Sequence, residues 1–133
     1  MKLTNLNQKI ILKTGLFGIF IGVSTTLGWS QQKELYILIL MIIATIFYLK
    51  NKLKSNIFLH SLIIGLSWGI DSSLIQIIFL ETFIINNPNY ANGIISIPNI
   101  NSRLFLLTFG LFWGLISSIL IWISVYFIRK LRI

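Results

Sequence analysis

Residues 59–83, which read Leu59 and then HSLIIGLSWGIDSSLIQIIFLETF from His60 to Phe83, place an aspartate in the middle of an apolar run of membrane-crossing length. Asp71 is the only aspartate in the chain. Roughly 20 apolar residues cross the hydrocarbon core of a bilayer as a helix, and three more runs approach that length on either side of this one. The reading is an all-α, integral membrane bundle of four transmembrane helices with both termini cytoplasmic. Its spans cover about 10–29, 35–49, 57–83 and 104–127, within a single transmembrane domain over residues 1–133.

Composition supports the class. With 56% hydrophobic residues, 11% charged residues and a mean hydropathy of +0.87, the chain does not describe a soluble domain. The first run follows a short basic segment, Met1 to Lys9, and competes with a cleaved leader reading. Its length, and Lys13 interrupting its start, favour a span. Leu35 to Leu49 is short, about 22 Å at 1.5 Å per residue. Lys33, Glu34 and Lys50 at its ends, with Tyr36 and Tyr48 at interfacial positions, extend it to a crossing. It has no glycine and no central polar residue except Thr45, so it is expected to be a peripheral, lipid-facing wall.

Residues 86–103 hold both prolines, Pro88 and Pro98, and six asparagines, and read as an outer loop. Ile94, Ile95, Ile97 and Ile100 are too apolar for free solvation, so part of this loop is expected on the membrane surface or folded over the bundle. Lys and Arg flanking spans are retained on the cytoplasmic side. Lys2, Lys9, Lys13, Lys50, Lys52, Lys54, Arg129, Lys130 and Arg132 fall on one side of the four-span arrangement, and only Lys33 and Arg103 on the other. The net charge of +8 is thereby accounted for by topology and anionic lipid. No basic helix face with interleaved aromatics exists for nucleic acid. The expected partners are the lipid bilayer and either further copies of the chain or another membrane protein, and the expected location is the plasma (inner) membrane.

One pattern occurs three times. Gly65 to Ser73, Gly110 to Ser118 and Gly18 to Thr26 all read G-[IL]-x-x-G-x-x-[ST]-[ST]. Small residues four apart let helix backbones approach closely where lipid supplies no hydrophobic drive, and the hydroxyls one turn later bond across or back to the backbone. Gly18, Gly22, Gly65, Gly69, Gly110 and Gly114 are therefore the expected helix-packing positions, with spans one, three and four forming the core. Trp68 and Trp113 occupy corresponding motif positions and are expected to pack.

At 100° per residue the third span is amphipathic, with His60, Ser61, Ser67, Asp71, Ser72 and Gln76 on one side. Polar groups facing lipid cost several kcal/mol each, so this side is expected to face protein or water. Asp71, Ser72, Gln76, Ser117 and Ser118 form the candidate midplane polar site. No cation lies at the depth of Asp71, and His60 is about 16 Å along the helix from it. Glu81 and Arg103 are expected to pair near the outer interface. The chain has no cysteine and one histidine, so no metal site, cofactor or catalytic residue is expected. Two functions remain open: a non-catalytic accessory or interaction protein packed through its Gly/Ser faces, or a small proton- or cation-coupled transporter or channel with Asp71 as the titratable site.

Overall fold

A computed structural model describes residues 6–30, 33–53, 55–95 and 101–131. Lys2, Lys54, Ile97, Pro98, Ile100 and Arg132 lie outside them. The described residues form six helices: α1 (Gln8–Thr26), α2 (Glu34–Lys52), α3 (Ile57–Ile78), α4 (Leu80–Asn86), α5 (Pro88–Ile95) and α6 (Ser102–Lys130). Four of them, α1, α2, α3 and α6, are long and apolar enough to cross a membrane.

Helix ends follow local chemistry. Asn7 caps α1, its side-chain oxygen accepting from the Ile10 amide at 3.3 Å. Gly28 ends α1 at φ +70, a conformation that favours glycine. The Gly28 amide then donates to Thr25 O and the Trp29 amide to Ser24 O, the paired bonds of a Schellman stop. At the far end of α2, the Arg129 guanidinium donates to the Lys50 carbonyl at 3.1 Å and the Leu49 carbonyl at 3.4 Å. A cation on the last carbonyls of a helix satisfies orphan acceptors and complements the helix dipole.

α3 is the central helix, packed between α1, which runs parallel to it, and α6, which runs antiparallel. The repeated motif makes both seams. An added Cβ on Gly18 would sit 2.6 Å from the Trp68 backbone, and one on Gly22 would sit 2.9 Å from the Ser72 backbone. On the other seam Gly65 faces Gly114 and Gly69 faces Gly110, backbone against backbone. The later hydroxyls complete it reciprocally: Ser73 lies against Gly110, the first glycine of the α6 motif, and Ser118 against Gly65, the first glycine of the α3 motif. Two antiparallel copies of one motif are thus complementary to each other. α2 packs on α6 and α1 chiefly through Ile42, Thr45, Ile46 and Leu49, its buried residues, while Leu35, Tyr36, Ile39, Leu40, Ile43 and Phe47 stay exposed.

The main core gathers Ile10, Ile46, Leu49, Ile64, Trp68, Ile121 and Val125. This is the end of the bundle where α1 begins and α2 and α6 finish. Trp68 is 2% exposed and donates its indole N–H to the Thr14 carbonyl at 2.7 Å, tying α3 to α1.

The run read as one span over 57–83 bends at Phe79, whose φ of −106 and ψ of 41 leave the helical region. The two ends of α1 show why it must bend. Asn7 bonds His60 at one end and Thr25 bonds Asn87 at the other. Residues 7 to 25 of α1 rise about 27 Å, whereas a straight helix from 60 to 87 would rise about 40 Å. α4 therefore folds across the end of α1, where the Asn86 and Asn87 amides donate to Thr26 O and Thr25 O. Within the segment read as a loop from its prolines and asparagines, residues 88–95 form α5, which folds back over the bundle.

Candidate functional site

Asp71 stands opposite Gly18, its Cβ 3.2 Å from where a side chain on that glycine would begin. Gly18 is near the middle of α1, which puts Asp71 at mid-height in the bundle. Its side chain is half-exposed, and among the described residues it makes no hydrogen bond and no ion pair. Ser67, one turn earlier on the same face, turns its hydroxyl back to the Ile64 carbonyl at 2.8 Å and lies beside Gly15. The Asp71 face of the α1–α3 seam thus carries an unanswered carboxyl group between small residues.

The other candidate residues lie elsewhere. Ser72, Gln76 and Ser117 line a cavity of about 430 Å³ between α2 and the α3–α6 pair. The Ser72 and Ser117 hydroxyls bond the Gly69 and Trp113 carbonyls of their own helices, at 3.2 and 2.9 Å. Ser118 does not face the cavity. It is buried in the α3–α6 seam, its hydroxyl directed to Gly114 O at 2.7 Å and to Leu62 O at 3.2 Å across the seam. On the α3 wheel the cavity-lining Trp68, Ser72, Gln76 and Gly69 lie about 60° to 160° from Asp71. The structure therefore separates the five residues into a carboxyl on one face, three polar groups in a cavity and a hydroxyl in a helix seam.

The cavity exists because α2 meets the bundle most closely from Ile42 onward, through Ile42, Thr45, Ile46 and Leu49. Beside its first turns Glu34, Leu35 and Leu38 line the cavity, together with Asn89 and Tyr90 of α5. Phe105, Phe109 and Trp113, at i, i+4 and i+8 on α6, form one wall, with ring centroids 5.9 Å apart for the first pair and 6.1 Å for the second. Glu34 closes the end away from the main core. It accepts from the Ser30 hydroxyl at 2.8 Å and from the Tyr90 hydroxyl of α5 at 2.7 Å. Burial, together with the hydrogen bond to Glu34 and its negative charge, pushes the Tyr90 phenol up to about 12. Glu34 is the one charged residue lining the cavity among the described residues. Sequence reading placed Glu34 only at a headgroup interface. The aromatic spacing on α6 was the available signal for a wall, but nothing in the sequence shows that α2 and α5 enclose a cavity against it.

His60 is 1% exposed, and its environment assigns its tautomer. Nε2 accepts from the Asn7 amide at 2.9 Å, so the ring proton sits on Nδ1, where it donates to the Asn56 carbonyl at 2.9 Å. Both nitrogens are used in holding the start of α1 against α3. Trp113 is half-buried in the cavity wall, in contrast to Trp68. Glu81 and Arg103 are both exposed and form no ion pair with each other, because α4 carries Glu81 away as it folds over α1.

Comparison with family models, with curated proteins and with solved structures gives no match.

Proposed function

We propose that this chain is a multi-pass protein of the plasma membrane, with both termini cytoplasmic, that acts as a non-catalytic interaction protein and assembles with a second copy of itself through the α1–α3 face. The observation that carries the reading is the half-exposed Asp71 carboxyl at mid-height, without a partner among the described residues. In a bilayer such a group has to be covered by protein or water. A carboxyl group that holds a proton both donates and accepts, so two identical faces related by a two-fold axis are complementary at this point. Gly15 and Ser67 beside it are small enough for close approach. The orientation rests on the cations: Lys9 and Lys13 at the start of α1, Lys50 and Lys52 at the end of α2, and Arg129 and Lys130 at the end of α6 share one end of the bundle.

The chain lacks cysteine, which makes disulfide trapping clean. Ser67→Cys and Leu74→Cys, on the Asp71 face, are expected to give cross-linked dimers in membranes, while Phe112→Cys, on an exposed face of α6, gives none. Equal trapping at all three positions, or none at the first two, overturns the assembly.

The second reading, a proton- or cation-coupled carrier or channel with Asp71 as its titratable site, draws on the same exposure. Asp71→Asn separates the two. An interaction protein keeps its dimer and its biological effect with asparagine, which still donates and accepts, whereas a coupled carrier keeps its dimer and loses flux.

A further inference from the structure

The cavity behind α2 lies on the other side of α1 from the Asp71 face and is not used by the assembly just described. Its volume, about 430 Å³, falls within the range of about 300–1,000 Å³ found for small-molecule sites. Its chemistry is one-sided. The walls are aromatic and aliphatic, Ser72, Gln76 and Ser117 supply neutral polar groups, and among the described residues the one charge is the Glu34 carboxylate at one end. Ser30 and Tyr90 hold that carboxylate in place. Lys33, next to it in sequence, is exposed and does not line the cavity.

We infer that this cavity is a binding site for an amphipathic organic cation, with its apolar body against Phe105, Phe109 and Trp113 and its positive charge toward Glu34. Three features select this class over others. Aromatic faces attract a cation through their quadrupoles, and the attraction grows where water is excluded. An anion of equal size would meet a fixed negative charge with no cation among the described lining residues to offset it. A neutral acyl chain would fill the walls but leave Glu34 without a role beyond holding α5.

The test uses the full chain in nanodiscs of zwitterionic lipid and two size-matched probes, tetraphenylphosphonium and tetraphenylborate, with quenching of tryptophan fluorescence as the readout, since Trp68 and Trp113 both line the cavity. Saturable quenching by the phosphonium and only linear, partition-type quenching by the borate is expected. Glu34→Gln should weaken phosphonium binding about tenfold, the scale of one partly desolvated charge contact. Because Glu34 also anchors α5, two further variants guard against a merely structural loss. Tyr90→Phe removes the anchor but keeps the carboxylate, and should bind the phosphonium at least as well as the original chain. Phe109→Ala removes one exposed wall ring and should weaken binding several-fold without changing helix content. Non-saturable phosphonium quenching, equal binding of the borate, or unchanged affinity in Glu34→Gln overturns the inference; the last outcome would mean a cavity that accepts apolar bodies alone. None of these results bears on cross-linking at Ser67, so the two proposals fail separately.

Discussion

Replacing Gly69 with alanine tests the central packing argument with the smallest change available. The added Cβ would sit 2.8 Å from the Gly110 carbonyl carbon and closer still to its oxygen. Ordinary contact begins at 3.4 Å, so α6 has to retreat by at least about 0.6 Å along this stretch. A gap of about 0.5–1 Å forfeits a quarter to a half of the dispersion well for the atoms it separates. The retreat also pulls Gly65 from Gly114 and loosens Ser73 and Ser118 from the glycines they touch. Overpacking of this kind costs about 1–3 kcal/mol. Alanine is also a better helix former than glycine by about 1 kcal/mol in solution, which would mask part of the loss. Gly15→Ala, compared at a dilution that keeps the chain monomeric because Gly15 also lies on the proposed assembly face, is the control, since it takes the same propensity gain while its Cβ meets only the Ser67 hydroxyl of its own chain, at 3.6 Å. Unfolding both variants in mixed micelles with increasing ionic detergent, followed by tryptophan fluorescence, should place Gly69→Ala below Gly15→Ala by about 1–3 kcal/mol. If Gly69→Ala is as stable as Gly15→Ala, α3 and α6 do not meet backbone to backbone, and the reciprocal reading of the motif is wrong.

Three other perturbations address single features. Trp68→Phe keeps one aromatic ring but loses the pyrrole ring, with its hydrogen bond to Thr14 and part of its packing, and should cost more than about 1 kcal/mol in the same titration, whereas Trp113→Phe, in the cavity wall, should cost less. Arg129→Gln removes the cation from the α2 carbonyls and should cost about 0.3–1 kcal/mol, seen most directly as faster hydrogen exchange at the Leu53 amide, which donates to Leu49 O. Tyr90 carries a pH dependence of definite sign: its folded-state value of about 12 lies above the ordinary 10, so its contribution to holding α5 is complete below pH 10 and is lost as pH rises through 12. An ultraviolet tyrosinate titration should show a component titrating near pH 12 that is absent from Tyr90→Phe. In Glu34→Gln it should move only part of the way back, because burial is the larger cause.

Gly65, Gly69, Gly110 and Gly114 were legible as packing positions because a small residue every fourth position makes one flat helix face, whatever it meets. The four long apolar helices were equally legible, since mean hydropathy over 18 or more residues is a property of the chain alone. The motif copies, read along the chain, do not say that α3 and α6 fit one another, since α6 runs opposite to α3. Tertiary structure supplies the fit: antiparallel copies place the hydroxyl of each on the first glycine of the other, a complementarity that depends on the register of the two helices.

What the sequence by itself determined is therefore the four apolar helices long enough to cross a membrane, the spacing of the glycines on their faces and the single carboxyl group amid an apolar run at Asp71, all set by composition and local periodicity. The partition of the polar residues was decided only in three dimensions. A helical wheel says which residues share a side of α3, but not that α1 would cover part of that side, leaving Asp71 on one flank and Ser72 and Gln76 on the other. Nor does hydropathy tell that α2 would close on the bundle at one end and line a cavity at the other. That depends on where Arg129 reaches the last turn of α2 and where Tyr90 reaches Glu34, contacts between residues 56 to 80 positions apart in the chain.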